Sequence, residues 1–352
     1  MSVGHAARWM IAAVALSIGF PVAASWAQGA GPAAPVSLRG AGATFPAPLY
    51  KKWISIYQAS HPKVSIAYEA VGSGEGVKRL LAESVDFAAS DEVLNAADAA
   101  KVGRGAATVP ATAGMIVLAY NIPGVTGEIK LPRDVYVGIF AGTIQRWNDP
   151  RIVAANPGIR LPARDIAVVA RLDSSGTTAA FTRHLAAAHP SWGTQGLGVG
   201  KLVGWPGKTM LAAGNEGVAA RIKVSEGAIG YVEFGFAKRL GLPMAALENK
   251  SGAFVTPSEA AAQLALSARV VQVSELDRSV VDPTAAGAYP IVSYSWLFLF
   301  RRHPDPARGQ AVHDLVAWGL SEGQQYGAEL GYIPLSADVI ALGREALQAI
   351  AY

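Results

Sequence analysis

The sequence contains no cysteine, which removes disulfides, thiolate zinc sites, iron–sulfur clusters and a cysteine nucleophile together. Charge is also scarce: 16% of the 352 residues are charged and the net charge is +4, against about 25% charged residues in ordinary soluble domains. Such a chain is neither a disordered nor a supercharged binder. Its scattered Lys and Arg residues lack the basic patch with stacking aromatics that a nucleic acid requires. What is present is apolar material, 51% of the residues, enough to fill a large core. Single cores stop growing near roughly 250–300 residues, so the length predicts two lobes.

Long apolar runs are missing after the N-terminus. At the N-terminus Arg8 precedes the run Trp9 to Phe20, followed by Pro21 and a small-residue stretch ending Ser25-Trp26-Ala27. A run this short falls well below the roughly 20 residues that span a bilayer. It reads as a secretory signal peptide, residues 1–27, cleaved after Ala27. With no cysteine to acylate, a lipoprotein anchor is excluded. The mature chain is therefore expected to be soluble and periplasmic, without membrane insertion. Cysteine count alone leaves the compartment open, because a large core makes disulfides optional. Residues 28–37 are small and polar and are expected to form a mobile leader.

From there apolar strands alternate with helix-period segments. Val64 to Ala67, Ile116 to Tyr120, Ile166 to Ala170 and Ile291 to Phe300 have strand character. Leu49, Trp53, Ile54 and Tyr57 fall on one helical stripe, and Val77, Leu80 and Leu81 on another. The alternation predicts an α/β protein with largely parallel sheets. No linker separates the two lobes, so the chain is expected to cross between them near Leu118–Ala119 and again near Ser293. Lobe 1 then combines residues 38–118 and 293–352, lobe 2 is 119–292, and a small ligand belongs in the cleft between them.

Four segments carry small hydrogen-bonding residues at strand ends or helix starts: Gly40 to Pro46, Gly72 to Gly76, Asp86 to Asp91 and Arg171 to Thr178. Pro46 suits a first helical turn and leaves Thr44 near the N-cap. Three of the four present a helix N-terminus, where free N–H groups and the helix dipole favour an anion. Each also has a plain structural reading. Thr44 and Ser175 are ordinary caps, Gly72 to Gly76 is a turn, Asp91 caps the next helix, and Arg171 with Asp173 is an ion pair. Gly207-Lys208-Thr209 imitates the end of a nucleotide-binding P-loop, but Leu202 stands where its first glycine is needed. No G-x-S-x-G or H-E-x-x-H occurs. The histidines at 61, 184, 189, 303 and 313 show no metal-ligand spacing, and His184 and His189, off a common helix face, are expected at the surface.

Taken together, Gly40 to Pro48, Val71 to Gly76, Val85 to Asp91 and Arg171 to Thr177 resemble the substrate-binding protein family of the bacterial ABC-type phosphate importer. Ile144 to Asp149, Ile166 to Arg171 and Gly227 to Val232 extend the resemblance, which runs in order from Leu38 to Leu335. It implies a two-lobed periplasmic-binding-protein fold, each lobe a mixed, mostly parallel sheet flanked by helices, with the ligand in the interlobe cleft. The implied phosphate ligands are Thr44, Phe45 (backbone N–H), Ser73, Asp91, Arg171, Ser175, Gly176 (backbone N–H) and Thr177, with Asp173 holding Arg171. No catalytic residue, metal or cofactor is implied. The implied partners are inorganic phosphate and the membrane permease of an ABC importer, and the protein is expected to be a monomer. The sequence departs from the commoner family pattern at Glu75 and Ser174, where small residues are frequent, and Glu75 is expected to point to solvent. The segment Ala245 to Tyr289 and the C-terminal tail are the least family-like. Three rival readings stand beside this one: a binding protein for sulfate, molybdate or a phosphonate, a secreted phosphatase or esterase using Ser175 or Ser73, and an adhesive or sensory role on the same scaffold.

Overall fold

In the computed structural model, which describes residues 1, 3–4, 35–194, 196–267 and 272–351, one long strand organises the molecule. The signal peptide at 1–27 and the expected leader as far as residue 34 lie almost entirely outside the described residues. The last two leader residues, Val36 and Ser37, instead open the first strand, paired with Val64 and Ser65. Eight strands form a mixed sheet: β1 (Val36–Gly42), β2 (Val64–Ala70), β3 (Phe87–Ser90), β4 (Ala106–Asn121), β6 (Ala167–Arg171), β7 (Met210–Ala212), β8 (Ala228–Glu233) and β11 (Val292–Phe300). Their order is β2-β1-β3-β11-β4-β8-β6-β7. β5 (Lys130–Leu131), β9 (Ala246–Glu248) and β10 (Phe254–Val255) make a second, small sheet.

β4 joins two half-sheets. Its residues Ala106 to Met115 pair antiparallel with β11, and Ile116 to Asn121 pair antiparallel with β8. The outer pairs β1–β2, β1–β3, β6–β7 and β6–β8 are parallel. This is the two-lobed plan, with each outer half parallel as the strand–helix alternation predicts and the central strands antiparallel. Where β4 changes partners, the Ile116 N–H donates to the Ile291 carbonyl, one residue before β11, at 2.9 Å. Every residue of β11 is buried, because both faces are covered; a strand so placed is mostly apolar, with Ser293 and Ser295 as the polar exceptions. Opposite it, the register slips between Ser295 and Trp296, which pair with Thr112 and Pro110 and leave Ala111 as an extra residue. Pro110 has no N–H to give the ladder, and a bulge is the usual accommodation inside a sheet.

The helices pack as their apolar stripes dictate. Leu49, Tyr50, Trp53 and Tyr57 of the helix Ala47–Ser60 are buried, and the Trp53 indole N–H donates to the Gly323 carbonyl at 2.7 Å. That helix stops at His61, the residue before Pro62. The helix Gly176–Ala188 buries Phe181, His184 and Leu185, so His184 is in the core and not at the surface. The spacing between the two histidines misses this, because what matters is that His184 lies three residues from Phe181 on the buried stripe. Its Nε2 is 2.9 Å from the Tyr136 hydroxyl, and burial pushes its pKa down to about 4. Residues Pro35–Tyr352 form one compact unit.

Candidate functional site

Four chain reversals before helices meet where the two half-sheets face each other. Three belong to the helices Ser73–Leu81, Gly176–Ala188 and Gly214–Val224, and the fourth is the turn that leads into Ala47–Ser60. Thr44 lies in that turn. It is not the cap, a position taken by Pro46 without a side-chain hydrogen bond. The Thr44 hydroxyl accepts from the Asn215 backbone N–H at 3.2 Å and from its Nδ2 at 2.9 Å. A hydroxyl that accepts twice still has its own proton to donate. Phe45 is fully buried, and its carbonyl accepts from the Tyr332 hydroxyl at 2.6 Å.

Asp91, buried at the end of β3, gathers the cluster. Its Oδ1 accepts from Ser295 at 2.9 Å and its Oδ2 from the Thr177 hydroxyl at 3.3 Å, while its backbone N–H donates to the Ser73 hydroxyl at 3.2 Å. The alternative that Asp91 caps the next helix does not hold, because Asn95 takes that cap. Burial pushes the Asp91 pKa up to about 7, against the pull of the Ser295 hydroxyl, the Arg171 charge and Thr177.

Arg171 is 4% exposed at the end of β6. Its Nε donates to Asp173 Oδ1 at 2.9 Å and its Nη2 to Oδ2, which leaves the Nη1 side to reach the Thr177 hydroxyl at 3.2 Å. Asp173 also accepts the Gly214 N–H at 2.8 Å. Burial alone would raise its pKa, but the two Arg171 hydrogen bonds and charge outweigh burial and hold it below the usual carboxylate range. Ser175 caps its helix by accepting the Thr178 N–H at 3.0 Å. Its neighbour Gly176 must be glycine: a Cβ there would stand 2.5 Å from the Ser73 hydroxyl and 2.8 Å from the Asp91 backbone nitrogen. Gly72, at φ +96°, is under the same constraint, with a Cβ 2.4 Å from Asp173 Oδ2. Glu75 is turned away and paired with Arg79 at 3.1 Å and Lys78 at 3.5 Å.

All nine residues singled out in the sequence therefore come together. Sequence reasoning missed Asn215, which links Thr44 to Thr177 at 3.2 Å, and Ser295. Asn215 had a signal, since Gly214-Asn215-Glu216-Gly217, which opens the helix Gly214–Val224 just after β7, is a small-polar segment like the other four. Ser295 had a fainter one, a hydroxyl inside an otherwise apolar strand. Tyr231, also missed, accepts the Arg171 backbone N–H at 3.1 Å and pairs with the Thr178 hydroxyl at 2.6 Å. A cavity of about 520 Å³ adjoins the cluster at Thr44, Asp173 and Gly214, with Lys51, Phe236 and Arg239 on its wall. No group of three or more His, Asp or Glu among the described residues could hold a metal ion, and no described helix is long and apolar enough to cross a membrane.

A two-lobed mixed sheet with converging helix starts between the halves defines a periplasmic-binding-protein-like molecule. Residues 27–322 match the PBP superfamily domain. The phosphate-binding protein PstS of Pasteurella multocida is 37% identical over 307 residues, 86% of this chain and 88% of that one. The phosphate-binding protein PstS of Methanocaldococcus jannaschii is 36% identical over 337 residues, 90% of this chain and 86% of that one. The chain belongs to this family of phosphate-binding proteins, which are binding proteins and not enzymes. Among solved structures, the phosphate binding protein of Stenotrophomonas maltophilia matches with TM-score 0.68 at 20% identity, over 88% of this chain and 93% of that one. The ABC-type phosphate transport receptor of Vibrio cholerae matches with TM-score 0.55 at 16% identity, over 84% and 99%. At these identities the likeness is one of fold.

Proposed function

We propose that this protein captures inorganic phosphate in the periplasm, as a monomer, by closing lobe 1 (38–118 and 293–352) on lobe 2 (119–292), and delivers it to the permease of an ABC importer. The observation that carries this reading is the convergence of Thr44, Ser73 and Asp91 from one half-sheet on Arg171, Ser175, Gly176 and Thr177 from the other. The names of its relatives point to the same ligand. In this reading Thr44, the Phe45 N–H, Ser73, Arg171, Ser175, the Gly176 N–H and Thr177 donate to phosphate oxygens, and Asp91 accepts the phosphate O–H. Asp173 fixes the planar fork of Arg171 and offsets its charge.

Phosphate near neutral pH carries one or two protons, so it both accepts and donates, whereas sulfate only accepts. A carboxylate facing sulfate places anionic oxygens in contact with no proton between them. A buried unpaired acceptor costs roughly 1–3 kcal/mol, and more when charged, so discrimination rests on hydrogen bonds more than on net charge. Closure follows from differential contact, because the ligand touches both lobes only in the closed form. Calorimetric titration of the purified protein with phosphate, arsenate and sulfate tests the reading. Phosphate is expected to bind and sulfate to compete poorly. No binding of phosphate would overturn it, and equal competition by sulfate would give the site to oxyanions at large.

A further inference from the structure

Next to Asp91, Glu92 stands in an ion cluster that phosphate ligation does not use. Its carboxylate accepts from Arg183 Nη2 at 2.8 Å and lies 2.9 Å from Lys201 Nζ. Arg183 Nη1 is held in turn by Asp277 at 2.9 Å. The four side chains are half-sheltered, none more than 25% exposed. They come from opposite halves of the molecule. Glu92 follows β3 in the first half-sheet. Arg183 lies on the helix Gly176–Ala188 that follows β6, and the Lys201 carbonyl accepts the Ser175 N–H at 3.0 Å.

The backbone beneath Glu92 is fixed. The Ser90 hydroxyl donates to the Glu92 carbonyl at 2.7 Å and accepts its N–H at 3.1 Å. Glu92 therefore belongs rigidly to one half, while its two cations belong to the other. If the halves separate, Arg183 keeps Asp277, but Glu92 loses both partners.

We propose that Glu92, clamped by Arg183 and Lys201, is an interlobe electrostatic latch that holds the closed form and slows phosphate release. The proposal rests on the phosphate-capture reading above. Isolated surface pairs contribute little, but a half-sheltered carboxylate shared by two cations is a network, the case in which such pairs count. Screening restricts the attraction to roughly 10 Å at moderate salt, so the latch acts after closure, on release more than on capture. Its position beside Asp91 couples it to the ligand, because both side chains leave the same short fixed stretch of backbone.

Stopped-flow measurement of phosphate binding and release by the wild type, Glu92→Gln, the pair Arg183→Gln with Lys201→Gln, and the triple variant tests this. At about 20 mM salt, Glu92→Gln and the cation pair are each expected to speed release about three- to ten-fold with capture equal or faster. The triple variant is expected to match them without adding to the effect, and the difference is expected to shrink but persist at about 0.5 M salt, because half-sheltered contact pairs are screened only in part. Unchanged release in Glu92→Gln, or an acceleration that adds across the triple variant, overturns the latch. These results are separable from failure of the phosphate reading, which is a wild type that binds no phosphate at all.

Discussion

At Asp91 two physical effects oppose each other: burial favours the neutral acid, while Ser295, Arg171 and Thr177 favour the carboxylate, and the balance leaves the pKa at about 7. The protonation state decides which anions the site can take. Above that pH Asp91 is an acceptor that suits the O–H of hydrogen phosphate and repels sulfate. Below it the acid can donate to a sulfate oxygen, so sulfate competition is expected to strengthen as pH falls through about 7. Asp91→Asn, an amide that donates at every pH, is expected to narrow the phosphate–sulfate gap and to reduce its pH dependence to that of the phosphate ion's own titration. Competition calorimetry at about pH 5.5 and about pH 8.5 reads both effects. Discrimination that is unchanged in the variant would remove Asp91 from this role. Asp173, two residues from Arg171, is pushed the opposite way and stays ionised, so the two acids of the site divide the work of orienting the guanidinium and reading the ligand's proton.

The helix starts bring the halves into register, and Gly176 is where their approach is tightest. Gly176→Ala places a methyl carbon against Ser73 and the Asp91 backbone, a contact that the proposed opening of the lobes would relieve. It is expected to cut phosphate affinity by more than about ten-fold while leaving the ligand-free melting temperature within about 2 °C, since an alanine in a first helical turn is otherwise well tolerated. Titration and a ligand-free thermal melt check the two parts, and an unchanged affinity would show that closure does not bring these residues together. Elements of this kind were legible in the sequence because their signals are local: Gly72 to Gly76 and Arg171 to Thr178 carry turn and cap chemistry within a few residues. The strands β2, β4, β6 and β11 were legible for the same reason, as apolar runs. β5, β9 and β10 were not, because strands of two or three residues have no period to detect. Ser295 reaches Asp91 across 204 positions beside a bulge at Pro110, and Asn215 reaches Thr44 across 171. Both roles are set by long-range pairing that no spacing rule exposes. His184 was misplaced because its companion on the buried stripe is Phe181, not His189.

The fold buries acids as well as apolar surface, and this gives the whole molecule a stability that depends on pH in a definite direction. Glu233, at the end of β8, pairs with Ile116 of β4 where that strand changes partners. Its Oε1 accepts the Gly235 N–H at 2.8 Å, and its Oε2 has no partner among the described residues. Burial pushes its pKa up to about 8, with Arg239 and the Gly235 N–H pulling it back only in part. An unfolded Glu titrates near roughly 4.3, so between that value and the folded one the native state binds more protons than the unfolded state, and stability falls as pH rises. Asp91 acts in the same sense over a slightly lower window. The acids held below their usual range, Glu75, Asp98, Asp149 and Asp173, work the other way, but their contribution is complete above about pH 4–5. Buried His184, pushed down to about 4, also raises stability with pH, but only up to the unfolded value near roughly 6.5, so above that the raised acids, Glu233 and Asp91 with Asp277 in the same sense, set the direction. Melting temperature in phosphate-free buffer is therefore expected to be higher at about pH 5.5 than at about pH 8.5, with phosphate adding stability by mass action at either pH. Glu233→Gln keeps an acceptor for the Gly235 N–H and loses the titration, so it is expected to shrink that difference, and Glu233→Gln with Asp91→Asn to shrink it further. A wild-type melting temperature that rises across this window would mean that the two buried acids are ionised and paired in the folded protein, contrary to their burial.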